Sequence, residues 1–161
     1  MKRRSVFFIV LFVLSITTLL FLLNCSKHPF EKYLVNRRFT RKYKVVRLVV
    51  GNVKNEEKRE DTFRFLKGGK FRFETWGNNI YSPQPWGLII RIEGKYKVQP
   101  IKGQPSRAKL ILFLEKGESR EGLFTQSIPK RKEERIFWFK ENNPRILYIQ
   151  NKDKVFEYHS R

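Results

Sequence analysis

A chain of 161 residues with 35 Lys and Arg against 15 Asp and Glu carries a formal charge of +20, and a field of that size draws anionic partners and repels cationic ones. A single cysteine excludes an internal disulfide framework and any zinc site built from several thiolates. The partner classes that remain are anionic lipid headgroups, acidic polysaccharide, nucleic acid and acidic protein.

The chain opens with a basic head, Lys2-Arg3-Arg4, then a nearly unbroken apolar run from Val6 to Leu23, then Asn24 and Cys25. Export signals and membrane anchors both begin this way. About 18 apolar positions are enough for an uncleaved span, and seven basic residues from Lys27 to Lys44 would then favour a cytoplasmic C-terminal domain. The placement of the lone thiol argues the other way. Leu22 three positions before Cys25, with Asn24 directly before it, resembles the bacterial lipoprotein lipobox in its relaxed, spirochaete-type form. That resemblance implies recognition of Lys2, Arg3, Arg4, Leu22 and Asn24, removal of residues 1–24, and acylation (palmitate among the chains) of Cys25. It implies a cell-envelope location, and Ser26, which carries no acidic retention cue, leans towards the outer rather than the inner membrane.

Without residues 1–24 the chain keeps 137 residues and 32 of its basic side chains, enough for one domain and its own core. Residues 25–42 read as the lipidated cysteine and a tether, since no period of 2 or 3.6 is sustained there. The domain is expected over 43–161. Tyr43–Val50 is rich in β-branched residues and ends at Gly51-Asn52, a strand with its turn. Asn55–Asp61 reads as a charged loop. Thr62–Leu66 and Lys70–Glu74 flank Lys67-Gly68-Gly69, and Phe63, Phe65, Phe71 and Phe73 alternate with polar neighbours, the pattern of a hairpin with one buried face.

Leu88–Ile92 and Lys95–Val98 read as strands turned by Glu93-Gly94, and 99–107, with two prolines, as a loop. Lys109–Leu114 and Gly122–Ile128 flank a turn at Glu115–Glu118, and Pro129–Arg135 reads as a loop. Arg135–Lys140, Arg145–Gln150 and Lys154–His159 close the chain, separated by Asn142-Asn143-Pro144 and Asn151-Lys152-Asp153. Nine or ten strands joined by sequential hairpins predict an all-β fold. The expectation is one antiparallel up-and-down barrel, with a β-sandwich as the alternative. Phe63–Phe73 with its Gly-Gly turn, Gly94–Val98, Leu110–Phe113 and the final hairpin Ile146–Tyr158 resemble compact bacterial lipocalin-like barrels, which favours the barrel.

Catalytic chemistry finds little to work with. The histidines are His28 and His159, the aspartates Asp61 and Asp153, and no phosphate loop, nucleophile elbow or zinc-protease motif is present. No enzyme, metal or cofactor is expected. Two surfaces are candidates for binding. Trp76, Tyr81 and Trp86 surround a loop between strands, a suitable portal for a small apolar ligand. Arg37, Arg38, Arg41, Lys42 and Lys44 cluster where they would meet anionic lipid or polysaccharide beside the anchor. The expected function is therefore that of a membrane-anchored envelope lipoprotein binding an apolar or anionic ligand. The alternatives are a single-span protein whose cytoplasmic domain binds nucleic acid or anionic lipid, and an envelope scaffold with no ligand.

Overall fold

Alternating apolar and polar residues bury one face of a strand, and a sheet with one apolar face hides it best by curling on itself. The computed structural model, which describes residues 29–49, 53–78, 86–121 and 124–160, shows this outcome. A one-turn helix, α1 (Glu31–Leu34), precedes nine strands: β1 (Arg37–Val49), β2 (Val53–Leu66), β3 (Lys70–Gly77), β4 (Gly87–Ile101), β5 (Gln104–Glu121), β6 (Phe124–Ser127), β7 (Arg131–Lys140), β8 (Asn143–Asn151) and β9 (Lys154–Ser160). Every neighbouring pair is antiparallel. Pairing of β4 with β5 and of β1 with β9 closes eight strands into an up-and-down barrel, consistent with a lipocalin-like one, and β6 is an extra strand on the end of β5. Closure excludes the sandwich.

The barrel has two ends. At one lie α1, the three-residue turn Lys67–Gly69 and the tight turns at Lys102-Gly103 and Glu141-Asn142. Positive φ at Gly68, Gly69, Gly103 and Asn142 makes these reversals possible. The interior here is filled. Phe39, Phe65, Phe71, Leu110, Phe137 and Leu147 are all at or near zero exposure, each such side chain contributing roughly 1.5–3 kcal/mol by leaving water. Leu34 of α1 is buried beneath them, and Phe30 meets Phe137 and Phe139 edge-on at centroid distances of 5.9 and 5.6 Å. This is the closed end. The opposite end, the mouth, is where β1 and β2 run on as a two-stranded ribbon, because pairing of β2 with β3 stops at Arg59↔Gly77.

Several sequence expectations need correction. Of the segment 25–42 expected as the lipidated cysteine and tether, residues 31–34 form α1 and residues from Arg37 onwards belong to β1, while 25–28 lie outside the described residues. Asn55–Asp61 is not a loop but the first half of β2. Glu93-Gly94 and Glu115–Glu118 are not turns. They mark a bulge in two long continuous strands, where Glu93 pairs with Lys116 and Gly94 with Leu114, leaving Glu115 over. A side chain at Gly94 would place its Cβ 1.9 Å from the Phe113 carbonyl oxygen, so only glycine lets the strands cross so closely. The bulge also switches which residues of β5 face inwards, from Leu110, Leu112 and Leu114 to Gly117 and Ser119. The loop expected over 129–135 is largely β7.

Candidate functional site: a basic, aromatic groove at the barrel mouth

Towards the mouth the inward-facing residues of β1, β2 and β7 become charged. Asp61 is at the centre. Its carboxylate accepts hydrogen bonds from Thr75 Oγ1 at 2.9 Å, Tyr43 Oη at 3.2 Å and Arg41 Nη2 at 3.0 Å. The Arg41 guanidinium lies over Tyr43 and Phe156, 4.1 and 4.3 Å from their ring centroids, with Tyr158 at 5.7 Å. A buried carboxylate persists only when paired and hydrogen-bonded, and Asp61 has both. Beside it Arg59 holds Glu57 at 3.1 Å. On β7 Arg135 and Arg131 grip Glu133, each at 2.7 Å, while Arg135 reaches across the interior to within 5.8 Å of the Phe63 ring.

The network leaves a mark on ionisation. Burial, and then the Asp61 carboxylate, push the Tyr158 and Tyr43 hydroxyls above their ordinary pKa. Burial alone would raise Glu133, but hydrogen bonds from Arg135 and Arg131 outweigh it and hold its carboxyl below the ordinary value. The side-chain Nε–H groups of Arg41, Arg59 and Arg135 are buried without a partner, which leaves donor capacity on the three guanidiniums.

Where the ribbon leaves the barrel, a groove of about 320 Å³ lies beside this network, lined by Lys42, Lys44, Lys58 and Glu60 of the outer face together with Tyr43, Arg59 and Trp86. The topology explains its composition. Gly77 pairs with Arg59 on one side and Gly87 on the other, so two glycines, and no side chain, separate the β2 cations from Trp86. Trp86 is 43% exposed, an indole face open to a ligand. Of the four cations, Lys42 shares Glu60 with Arg38 at 3.9 and 3.2 Å, Lys44 holds Glu56 at 2.7 Å and Arg59 holds Glu57, which leaves Lys58 without an ion pair among the described residues. Chemically, such a groove can accept an anionic group and stack a flat or apolar one.

The structure thus joins two sets of residues that the sequence offered separately. Trp86 lines one groove with Lys42 and Lys44, while Trp76 stands on the outer face opposite Glu60. Tyr81 lies outside the described residues, as do Cys25, Lys2, Arg3, Arg4, Leu22 and Asn24. The basic cluster from Arg37 to Lys44 is not one patch, as strand alternation divides it. Arg41 points inwards to Asp61, Lys42 and Lys44 face outwards at the mouth, and Arg37 sits at the closed end with its guanidinium on the Pro144 carbonyl oxygen, 3.1 Å away. Phe71 and Phe73 face the interior, Phe73 packing 4.6 Å from Phe63, so they offer no platform for stacking bases. Lys58 and Arg59 were not anticipated. Their segment alternates charges on both faces, which hides a strand.

Among the described residues no group of three His, Cys, Asp or Glu could hold a metal ion, and no helix is long and apolar enough to cross a membrane. No family model matches the chain, and neither a curated protein nor a solved structure is similar to it.

Proposed function

We propose that this chain is a membrane-anchored envelope lipoprotein, tethered through lipid on Cys25, whose barrel binds an anionic ligand in the mouth groove and does not transform it. One observation carries the reading: Lys42, Lys44, Lys58 and Arg59 line a single groove with Tyr43 and Trp86, and Lys58 among them makes no ion pair among the described residues while the others are paired with carboxylates. Rings occupy the closed half of the interior, so an apolar body is better placed against Trp86 than inside the barrel. The carboxylates nearest the groove are tied to arginines, which suits them to hold cations in place and not to move protons. An acidic glycan or the phosphate of an envelope lipid fits this chemistry.

Two measurements test the proposal. Intact mass of protein from its native membrane should show loss of residues 1–24 and added acyl mass, both absent in Cys25→Ala. Hydroxypyrene trisulfonate titrated with the full-length protein in phosphatidylcholine nanodiscs should bind, read as a rise in the probe's own fluorescence anisotropy, with competition by sulfated glycans. Trp86→Ala and Lys58→Glu should each weaken that binding at least tenfold. Binding that neither change affects would move the ligand elsewhere.

A further inference from the structure

The closed end has a charge imbalance unlike the rest of the barrel. Its segments, 29–38, 64–72, 94–109 and 137–146, hold fourteen Lys and Arg against two acids, Glu31 and Glu141. The other described segments hold sixteen basic residues and all thirteen remaining acids. Some closed-end cations reach acids of the other half, as Arg72 does to Glu93 and Lys95 to Glu115. In the turns, and in the strand ends beside them, Lys67, Lys102, Arg107, Lys140 and Arg145 make no ion pair among the described residues, and all five are exposed.

An aromatic groove lies among these cations. It measures about 630 Å³, and its lining includes Phe30, Trp138, Phe139 and Tyr148 with one cation, Lys140, and one acid, Glu141. Trp138 and Tyr148 stack on the outer face at 5.5 Å, and the Arg107 guanidinium lies 4.6 Å from the Trp138 centroid. Trp and Tyr flanked by Lys and Arg are the residues that settle at a bilayer–water interface. The chain's apolar run ends at Leu23 and the described structure begins at Pro29. Five intervening residues span roughly 20 Å at most. Whatever holds residues 6–25 in a membrane therefore keeps this end, and not the mouth, beside it.

We infer that the closed end is a docking face for an anionic bilayer surface. The turn cations meet lipid phosphates and the Trp138–Tyr148 pair sits at headgroup depth. The inference rests on the anchor part of the proposed function and is independent of the mouth groove. Docking would orient the barrel with its mouth pointing away from the membrane. Each basic residue at such a surface strengthens association about fivefold, and added salt weakens it.

The test uses full-length protein in vesicles of brominated phosphatidylcholine, with and without phosphatidylglycerol. A form retaining only Trp138 (Trp76→Phe, Trp86→Phe) should be quenched in the anionic vesicles and recover in salt. A form retaining only Trp86 should not be quenched. The triple variant Lys67→Glu, Lys102→Glu, Lys140→Glu alters only exposed side chains in or beside the turns and leaves the Arg107–Trp138 contact in place; it should lose Trp138 quenching while keeping its circular dichroism. Vesicle flotation reads the anchor separately. Protein that floats while Trp138 stays unquenched, or is quenched equally without phosphatidylglycerol, overturns docking and leaves the anchor standing. Protein that does not float overturns both, and retardation of single-stranded RNA by that protein would assign the basic face to nucleic acid.

Discussion

The two ends of the barrel use the same strands to opposite purposes. At the closed end the interior is apolar and the surface carries cations with few carboxylates; at the mouth the interior is charged and nearly every acid is paired. The two facts are connected. A carboxylate inside a barrel needs an arginine beside it, so Asp61, Glu57 and Glu133 each lie within reach of one. Of the remaining acids, Glu56, Glu60 and Glu74 pair across strands of the same half, while Glu93, Glu115 and Glu134 are held by closed-end cations. A charge of +20 is therefore spread unevenly, which composition alone could not reveal.

The largest effect is expected where the halves join. Gly94→Ala puts a methyl group against the Phe113 backbone, and backbone cannot move aside as a side chain can. A loss above about 4 kcal/mol is expected, seen as failure to give a cooperative urea transition. Next come two changes that set one end against the other. Phe65→Ala should cost about 3–5 kcal/mol through a cavity among rings. Asp61→Ala should cost about 3–5 kcal/mol by stranding Arg41 inside the barrel. Salt should barely alter the first loss in denaturant melts. If the second behaved identically to the first at every pH, the division between the ends would be wrong.

The pH dependence separates the ends further. Glu133 ionises more readily folded than unfolded. Its contribution is complete above the unfolded value near 4.5 and lost as pH falls through the lower folded one. Tyr158 holds its proton more tightly when folded, so its contribution is complete below its ordinary 10 and lost as pH rises beyond it. Melting temperature should therefore fall on both sides, Glu133→Gln flattening the acid limb and Tyr158→Phe the alkaline one. The smallest effect belongs to the β8–β9 turn, where Lys152 has φ of 54°. Lys152→Asn should add about 0.5–1 kcal/mol, since asparagine tolerates that conformation better.

Much of the barrel was legible in the sequence. Phe63, Phe65, Phe71 and Phe73 alternate around Gly68-Gly69, and that pattern alone predicts the β2–β3 hairpin. Pairing across the barrel was not legible. Glu56 to Asp61 looks like a loop because it is charged at every position, yet Glu57 and Asp61 face inwards on β2 and are satisfied by Arg59 and Arg41. Glu93-Gly94 looks like a turn because glycine usually marks one, whereas here it permits close approach of two strands. The groove joins Lys42 and Lys44 with Trp86, more than forty residues later. Local pattern contains no information about which distant strand will lie alongside, so Trp86 and the lysines could be noticed but not joined.

The closure between β1 and β9 has a further consequence. Their backbone pairing covers only Phe39↔Ser160 and Thr40↔His159. Past Thr40, towards the mouth, the described strands are linked by the Arg41 guanidinium lying on Phe156 and Tyr158, side chains in place of a ladder. Amide protons along this seam should therefore exchange with solvent by local opening, well before those of β4 and β5. The barrel has a weak stave, on the strand that also lines the mouth groove.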